Sequence, residues 1–144
     1  MTTIAFKAGV LAADTQATSG DDKVDGWMVK IGKKGHALFG GTGSASFIRT
    51  FRAWCAAGLP GDPPRCEKDE GKSCGFLIVE GQLYEFFPCG RMTRTWIGDG
   101  PWAAGGGGDI AMGAMRAGAN PRRAVKIAAE VDIYTSGEIT VLTL

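Results

Sequence analysis

The chain lacks most features that mark nucleic-acid-binding, metal-binding and membrane-spanning proteins. Its 144 residues carry a net charge of only +1, so there is no excess of Lys and Arg of the kind that binds nucleic acid. It has one histidine, His36, and no C-x-x-C pair, which disfavours zinc. It also has no signal-peptide pattern and no apolar run of membrane-spanning length. These absences predict a cytoplasmic protein with no cofactor or metal and with neither nucleic acid nor membrane as a partner.

Cysteine is scarce as well, and four residues are too few for a disulfide scaffold. Cys55 lies in a helical apolar pattern and Cys89 follows a strand pattern, which predicts both as small core residues. Cys66 and Cys74 flank a charged loop and could form a disulfide in an oxidising compartment. The predicted cytoplasmic location favours free thiols instead.

Glycine is the abundant residue, with 23 copies. The glycines gather at the ends of apolar runs, in FGGTGSAS and WAAGGGGDIAMG, where backbone turns sharply or approaches another group closely. Neither run has the G-x-x-x-x-G-K-S/T spacing of a phosphate loop, and neither places G-x-G-x-x-G between a strand and a helix. The sequence therefore predicts tight turns rather than nucleotide binding.

The length predicts a single domain over residues 1–144. TTIAFK and GVLAADT form a predicted hairpin, in which VLAA is buried on both faces. WMVKI and HALFG are two further predicted strands, joined at GKKG. CGFLIVE and QLYEFF are predicted as a hairpin about Gly81, MTRTWI as the next strand and EITVLTL as the last one.

Three helices are predicted. Residues 44–57 have Phe47, Ile48, Phe51, Trp54 and Cys55 at helical spacing. Part of this face is expected to stay exposed, because the proline-rich loop at 58–73 supplies no helix to cover it. A second helix begins at Asp109, and a third begins at the cap Asn120-Pro121, with Ala124, Ile127, Ala128 and Val131 as its inner face. The order of elements predicts an α+β protein with two sheets face to face and helices outside.

The first candidate for chemistry is Thr2. A threonine behind a removable Met1 would carry a hydroxyl nucleophile and an α-amine base on one residue. A terminal amine titrates near 8 and an ordinary lysine at about 10.4, so the amine is the better base at neutral pH.

Two charged residues stand where charge is expensive. Asp14 closes the buried run VLAAD, and Lys30 lies within the apolar run WMVKI. Together they would form a buried ion pair, and a cationic Lys30 would lower the pKa values of its neighbours. Two alternatives remain: the pair is only a core salt bridge, or Lys30 points to water.

Two further segments lie at strand or helix ends. The glycines of GGT at 40–42 fall between a strand and a helix, where their N–H groups could face a developing negative charge. A tight strand-to-helix turn would use the same glycines. DIYTSG at 132–137 follows a helix and precedes the last strand, and by itself it is typical of a polar turn.

Together these segments resemble the proteasome β-subunit family of N-terminal-nucleophile hydrolases, which includes the bacterial heat-shock peptidase that works with an unfoldase. TTIAFK is similar to the opening strand of the family, and GVLAADTQATSG to its second strand and turn. FGGTGSASF is similar to the segment with the oxyanion glycine, and DIYTSG to a D-x-Y-S-G motif. Asp14 and Lys30 have the spacing of the family's acidic and lysine positions. The similarity runs in order from Thr2 to Leu144.

The resemblance implies a four-layer α-β-β-α sandwich, here with a reduced helical layer, and a threonine-type peptidase. After loss of Met1, Thr2 would be the nucleophile and, through its amine, the general base. Asp14 and Lys30 would be its charged partners.

The remaining roles also follow from the resemblance. Gly41 is assigned to the oxyanion N–H, with Gly40 and Gly43 as alternatives in a neighbouring register. Asp132 and Thr135 would orient the terminal amine and its water, with Thr135 standing where the family usually has serine.

The chain departs from the family in three places. Its first hairpin is shorter. The serine that lies beside the amine is replaced by Gly106 or Gly107, which removes a hydroxyl. The loop at 58–73 stands where relatives have a second long helix that helps to stack rings.

The resemblance implies a peptide or unfolded-protein substrate, a homo-oligomeric ring of six or seven subunits and an ATPase unfoldase as partner. Two alternatives stay open. The same fold serves hydrolases of small amides, and loss of the serine fits a catalytically silent ring or scaffold protein.

Overall fold

The computed structural model describes residues 2–19, 22–66, 68 and 72–144. In chain order the elements are β1 (Thr3–Lys7), β2 (Val10–Ala13), β3 (Gln16–Ser19), β4 (Asp22–Trp27), β5 (Ile31–Lys34), β6 (Ala37–Thr42), α1 (Ala45–Ala56), β7 (Cys74–Val79), β8 (Gln82–Phe86), β9 (Met92–Trp96), β10 (Trp102–Gly105), α2 (Gly108–Arg116), α3 (Pro121–Val131) and β11 (Thr140–Thr143). The chain divides into two compact units, Met1–Val29 with Asp99–Thr143, and Lys30–Gly98 with Leu144.

The first unit is an antiparallel sheet with two helices on one face. The strand order is β10-β1-β2-β11, and β3 and β4 form a separate pair. Small side chains let the helices lie close to the sheet; the core residues are Ala5, Ala12, Ala111, Met115, Ala124, Val125 and Ala128. The opposite face of β1 and β2 is buried too, at Ile4, Phe6 and Leu11. Burial on both faces was predicted from the run VLAA and is confirmed.

The two helices of this unit begin where the sequence places them, to within a residue. The Asn120 side chain caps α3 by accepting a hydrogen bond from the Arg123 N–H (2.8 Å), and Pro121 is the first helical residue. The inner face is predicted less well. Val131, expected inside, is 67% exposed and Val125 is buried, because Val131 lies in the last turn of a helix that stops there.

The second unit is a five-stranded antiparallel meander, β5-β6-β7-β8-β9, with α1 packed on β6 and β7. The apolar face of α1 is buried, at Phe47, Ile48, Phe51 and Cys55. The expectation that part of this face stays exposed is therefore wrong at these four positions, because the sheet itself covers them: Phe51 packs against Phe86, with ring centroids 5.4 Å apart. Only Trp54 is half-buried.

Three smaller predictions also need correction. Lys30 is not inside a strand: β4 ends at Trp27, and β5 begins one residue after Lys30. The turn predicted at GKKG lies at Gly35-His36, so part of that run is strand. Cys89 is exposed, because it lies in the turn between β8 and β9 rather than in the core.

The α+β fold class is confirmed, since each unit is an antiparallel sheet with one or two helices on a face. Among the described residues, no helix is long and apolar enough to cross a membrane.

Candidate active site

Thr2 directly precedes β1, whose first residue is Thr3. It is 2% exposed, and Thr3 pairs with Gly105 of β10. Gly105 has φ of +91°, and a side chain there would overlap the Thr2 carbonyl. Glycine is therefore required for β10 to pass this close to Thr2. The prediction that Met1 is removed concerns a residue outside those that the structure describes.

Asp14 directly follows β2 and is held against the start of β1. The Thr3 N–H donates to Asp14 Oδ1 (3.0 Å), and the Asp14 N–H donates to the Thr3 carbonyl (3.2 Å). The Ser136 N–H donates to Asp14 Oδ2 (3.4 Å). A buried carboxylate needs such donors to replace water. These bonds tie the carboxylate both to the residue after Thr2 and to the DIYTSG segment.

Asp132 is the C-cap residue of α3, and its side chain holds the turn that follows. Its Oδ1 accepts from the Tyr134 N–H (3.2 Å), and its Oδ2 accepts from the Thr135 hydroxyl (2.6 Å). Thr135 Oγ1 also lies 2.6 Å from Thr3 Oγ1. Thr135 is 1% exposed, so these short bonds are shielded from water.

The DIYTSG segment is fastened to the chain after β2 by side chains that the sequence analysis did not single out. The Ser136 hydroxyl donates to Gln16 Oε1 (2.5 Å), and Gln16 Nε2 donates to the Ile133 carbonyl (3.4 Å). The Thr15 hydroxyl donates to the Glu138 carbonyl (2.7 Å). The available signal was the position of Thr15 and Gln16, two polar residues directly after the buried run VLAAD.

In the first unit, four of the predicted site residues therefore meet at the start of β1. They are Thr2, Asp14, Asp132 and Thr135. Asp14 and Thr135 both bond to Thr3, a residue to which the sequence analysis assigned no role.

The other two predicted residues, Lys30 and Gly41, belong to the second unit and lie side by side there. The Gly41 N–H donates to the Lys30 carbonyl (3.2 Å), and a side chain at Gly40 would lie 2.6 Å from the same carbonyl. Lys30 is 2% exposed, so the alternative in which Lys30 points to water is wrong.

The start of α1 is built from polar residues near these glycines. The Ser44 side chain caps the helix by accepting from the Phe47 N–H (3.2 Å), and the Ser44 N–H donates to Ser73 Oγ (2.9 Å). Gly43 precedes the cap with φ of +99°, and a side chain there would lie 2.5 Å from Ser73 Cα. Both the conformation and the space at this position require glycine.

Cys55 and Cys74 are poorly suited to act as nucleophiles in this protein. Burial raises the pKa of Cys55 to about 12. The pKa of Cys74 is raised to about 12 as well, by burial first and by the charge of Glu85 second. Both thiols stay protonated at neutral pH, and the reactive form of cysteine is the thiolate. All four cysteines are free, so the Cys66–Cys74 disulfide does not form here.

Comparison with known proteins finds the likeness in structure and not in sequence. No protein-family model matches the chain, and no curated protein matches its sequence. BPH from Thiobacillus denitrificans superposes with a TM-score of 0.66 at 20% identity, covering 99% of this chain and 96% of that one. The same protein in complex with epoxomicin gives a TM-score of 0.66 at 19% identity, over 99% and 97%. HslV from Trypanosoma brucei gives 0.66 at 18% identity, over 100% of both chains.

These solved structures are HslV-like and proteasome-like, which agrees with the resemblance found in the sequence. At this level of identity the likeness establishes the fold. The chain has the proteasome-like, N-terminal-nucleophile hydrolase fold of HslV and BPH.

Proposed function

We propose that this protein is a threonine-type peptidase that uses Thr2 as its nucleophile after Met1 is removed. The observation that carries the proposal is the set of hydrogen bonds around the start of β1, where Asp14 and the Asp132–Thr135 pair both bond to the residue next to Thr2. A buried carboxylate, a half-buried carboxylate and two buried hydroxyls meet around the start of β1, which is more than a simple strand end requires.

The mechanism follows from the groups on Thr2 itself. The free α-amine, with a pKa near 8, would take the proton from the Thr2 hydroxyl as Oγ1 attacks the peptide carbonyl. The resulting oxyanion collapses to an ester on Thr2 and expels the amine half of the substrate, which accepts the proton. Water, activated by the same amine, then hydrolyses the ester and restores the enzyme.

The charged residues would set the protonation of that amine. A cationic Lys30 lowers the pKa of an amine nearby and favours the incipient alkoxide. Asp14 would keep Lys30 charged, and Asp132 with Thr135 would orient the amine and its water.

We propose Gly43 in preference to Gly41 as the residue whose backbone N–H stabilises the oxyanion. The Gly41 N–H is already donated to the Lys30 carbonyl. Gly43 directly follows β6, outside the paired part of the strand. It also lies directly before the N-terminus of α1, where the helix dipole favours negative charge.

The proposed substrate is a peptide or an unfolded protein, delivered by an ATPase unfoldase in the cytoplasm. BPH was solved in complex with epoxomicin, and we propose this compound as a probe for the site at Thr2. Intact-mass measurement of the purified chain should show Met1 absent, and incubation with epoxomicin should add one inhibitor mass per chain. An unreactive chain that retains Met1 would support the scaffold alternative. A processed chain that cleaves only small amides would support the other one.

The assembly is expected to be a ring of six or seven copies, single or double, because a peptidase that is active without a further trigger needs restricted access for its substrates. The buried face of α1 is not the contact surface. Met92 and Trp96, 54% and 66% exposed, lie on one face of the edge strand β9 and offer apolar area for a second copy. Light scattering should give the mass of a closed ring, and Trp96→Arg should reduce it. A stable monomer of the wild-type protein at micromolar concentration would contradict the ring.

A further inference from the structure

Thr3 makes a hydrogen bond whose direction can be deduced. Asp132 Oδ2 accepts the proton of the Thr135 hydroxyl, since a carboxylate has no proton to give. Thr135 Oγ1 therefore acts as the acceptor in its contact with Thr3 Oγ1 at 2.6 Å, and Thr3 is the donor. A one-way chain of bonds results, from Thr3 through Thr135 to Asp132.

Gly107 shows that the Thr3 hydroxyl occupies a specific space. Its φ of −92° is one that any residue adopts, so the backbone does not require glycine here. A side chain at 107 would instead overlap Thr3 Oγ1 and lie 3.2 Å from Thr135 Oγ1. Glycine at 107 and the hydroxyl at 3 therefore fit each other: the volume that one gives up is filled by the other.

Resting on the proposed function, we infer that Thr3 is a positioning residue of the active site, supplying from β1 the hydroxyl that the GGGG segment lacks. Its donation holds Thr135 Oγ1 in one orientation toward Asp132. Its backbone N–H is held by Asp14 at the same time. Thr3, the residue after the nucleophile, thus links both carboxylates and fixes the orientation of Thr2 at the point where the chain enters β1.

The experiment moves the hydroxyl between the two positions. Thr3→Val keeps the shape and removes the hydroxyl, and it should lower kcat roughly tenfold to a hundredfold while KM changes less than about threefold. Thr3→Ser should retain most of the activity. The double variant Thr3→Ala with Gly107→Ser should recover activity over Thr3→Ala alone. Its matched control, Thr3→Ala with Gly107→Ala, fills the same space without a hydroxyl and should recover none.

The outcomes separate this inference from the proposed function. If Thr3→Val has a normal kcat while Thr2→Ala is inactive, the role of Thr3 is overturned and the proposed peptidase function is not affected. Normal hydrolysis in Thr2→Ala overturns both. Should the wild-type protein hydrolyse nothing, urea unfolding decides: the midpoint shifts of Thr3→Val and Thr135→Val should be non-additive if the hydroxyls are bonded, and additive shifts overturn the inference.

Discussion

Replacing Thr2 by alanine is expected to abolish peptide hydrolysis and to leave the fold intact. The variant keeps the terminal amine but loses the only atom that forms the ester with substrate, so no bypass through the same mechanism exists. The loss should exceed a thousandfold, since removing a nucleophile that acts as a unit with its base leaves little catalysis. Thr2 is buried, yet alanine is smaller and leaves the backbone pairing of β1 unchanged.

The measurement is steady-state cleavage of an unstructured protein, with circular dichroism as the check on folding. Thr2→Ser keeps a hydroxyl and should keep measurable activity, and Thr140→Ala, at the start of β11, is the matched control for loss of a threonine elsewhere. An active enzyme that fully retains Met1 would contradict the mechanism, because the α-amine would then be an amide.

Replacing Lys30 by alanine is expected to abolish activity and to destabilise the protein. Lys30 and Asp14 are 2% and 1% exposed, and we propose that they pair. Removing one charge would leave the other buried without its partner, which costs roughly 3–5 kcal/mol of the free energy of unfolding. The activity falls because the terminal amine loses the cation that keeps it neutral.

Urea unfolding and peptide cleavage are measured together for this test. The double variant Lys30→Met with Asp14→Asn should recover part of the stability but none of the activity, since it removes the charges as a pair. Lys126→Ala, on the exposed face of α3, should change stability by no more than about 0.5 kcal/mol. Near-normal turnover in Lys30→Ala would remove Lys30 from the mechanism.

Local sequence determined the elements of this protein because each was encoded by its own residues. Asn120-Pro121 started α3 as an N-cap followed by proline, and the continuous apolar run VLAA gave a strand buried on both faces. The order of the motifs from TTIAFK to DIYTSG was enough to indicate the fold that the solved structures share.

Tertiary structure decided which residues touch, because those contacts join segments far apart in the chain. The exposed face predicted for α1 is buried under a sheet whose later strands lie beyond a loop of irregular sequence. Gly41 cannot be distinguished from Gly43 by composition; only the register of β5 and β6 shows whose N–H already has a partner. Thr3 and Thr135 are 132 residues apart. Their hydroxyls occupy the space that a side chain at Gly107 would need, and this is seen only in the folded chain. The strength of a hydrogen bond changes when the donor–acceptor distance changes by tenths of an ångström. The packing of several elements together sets that distance.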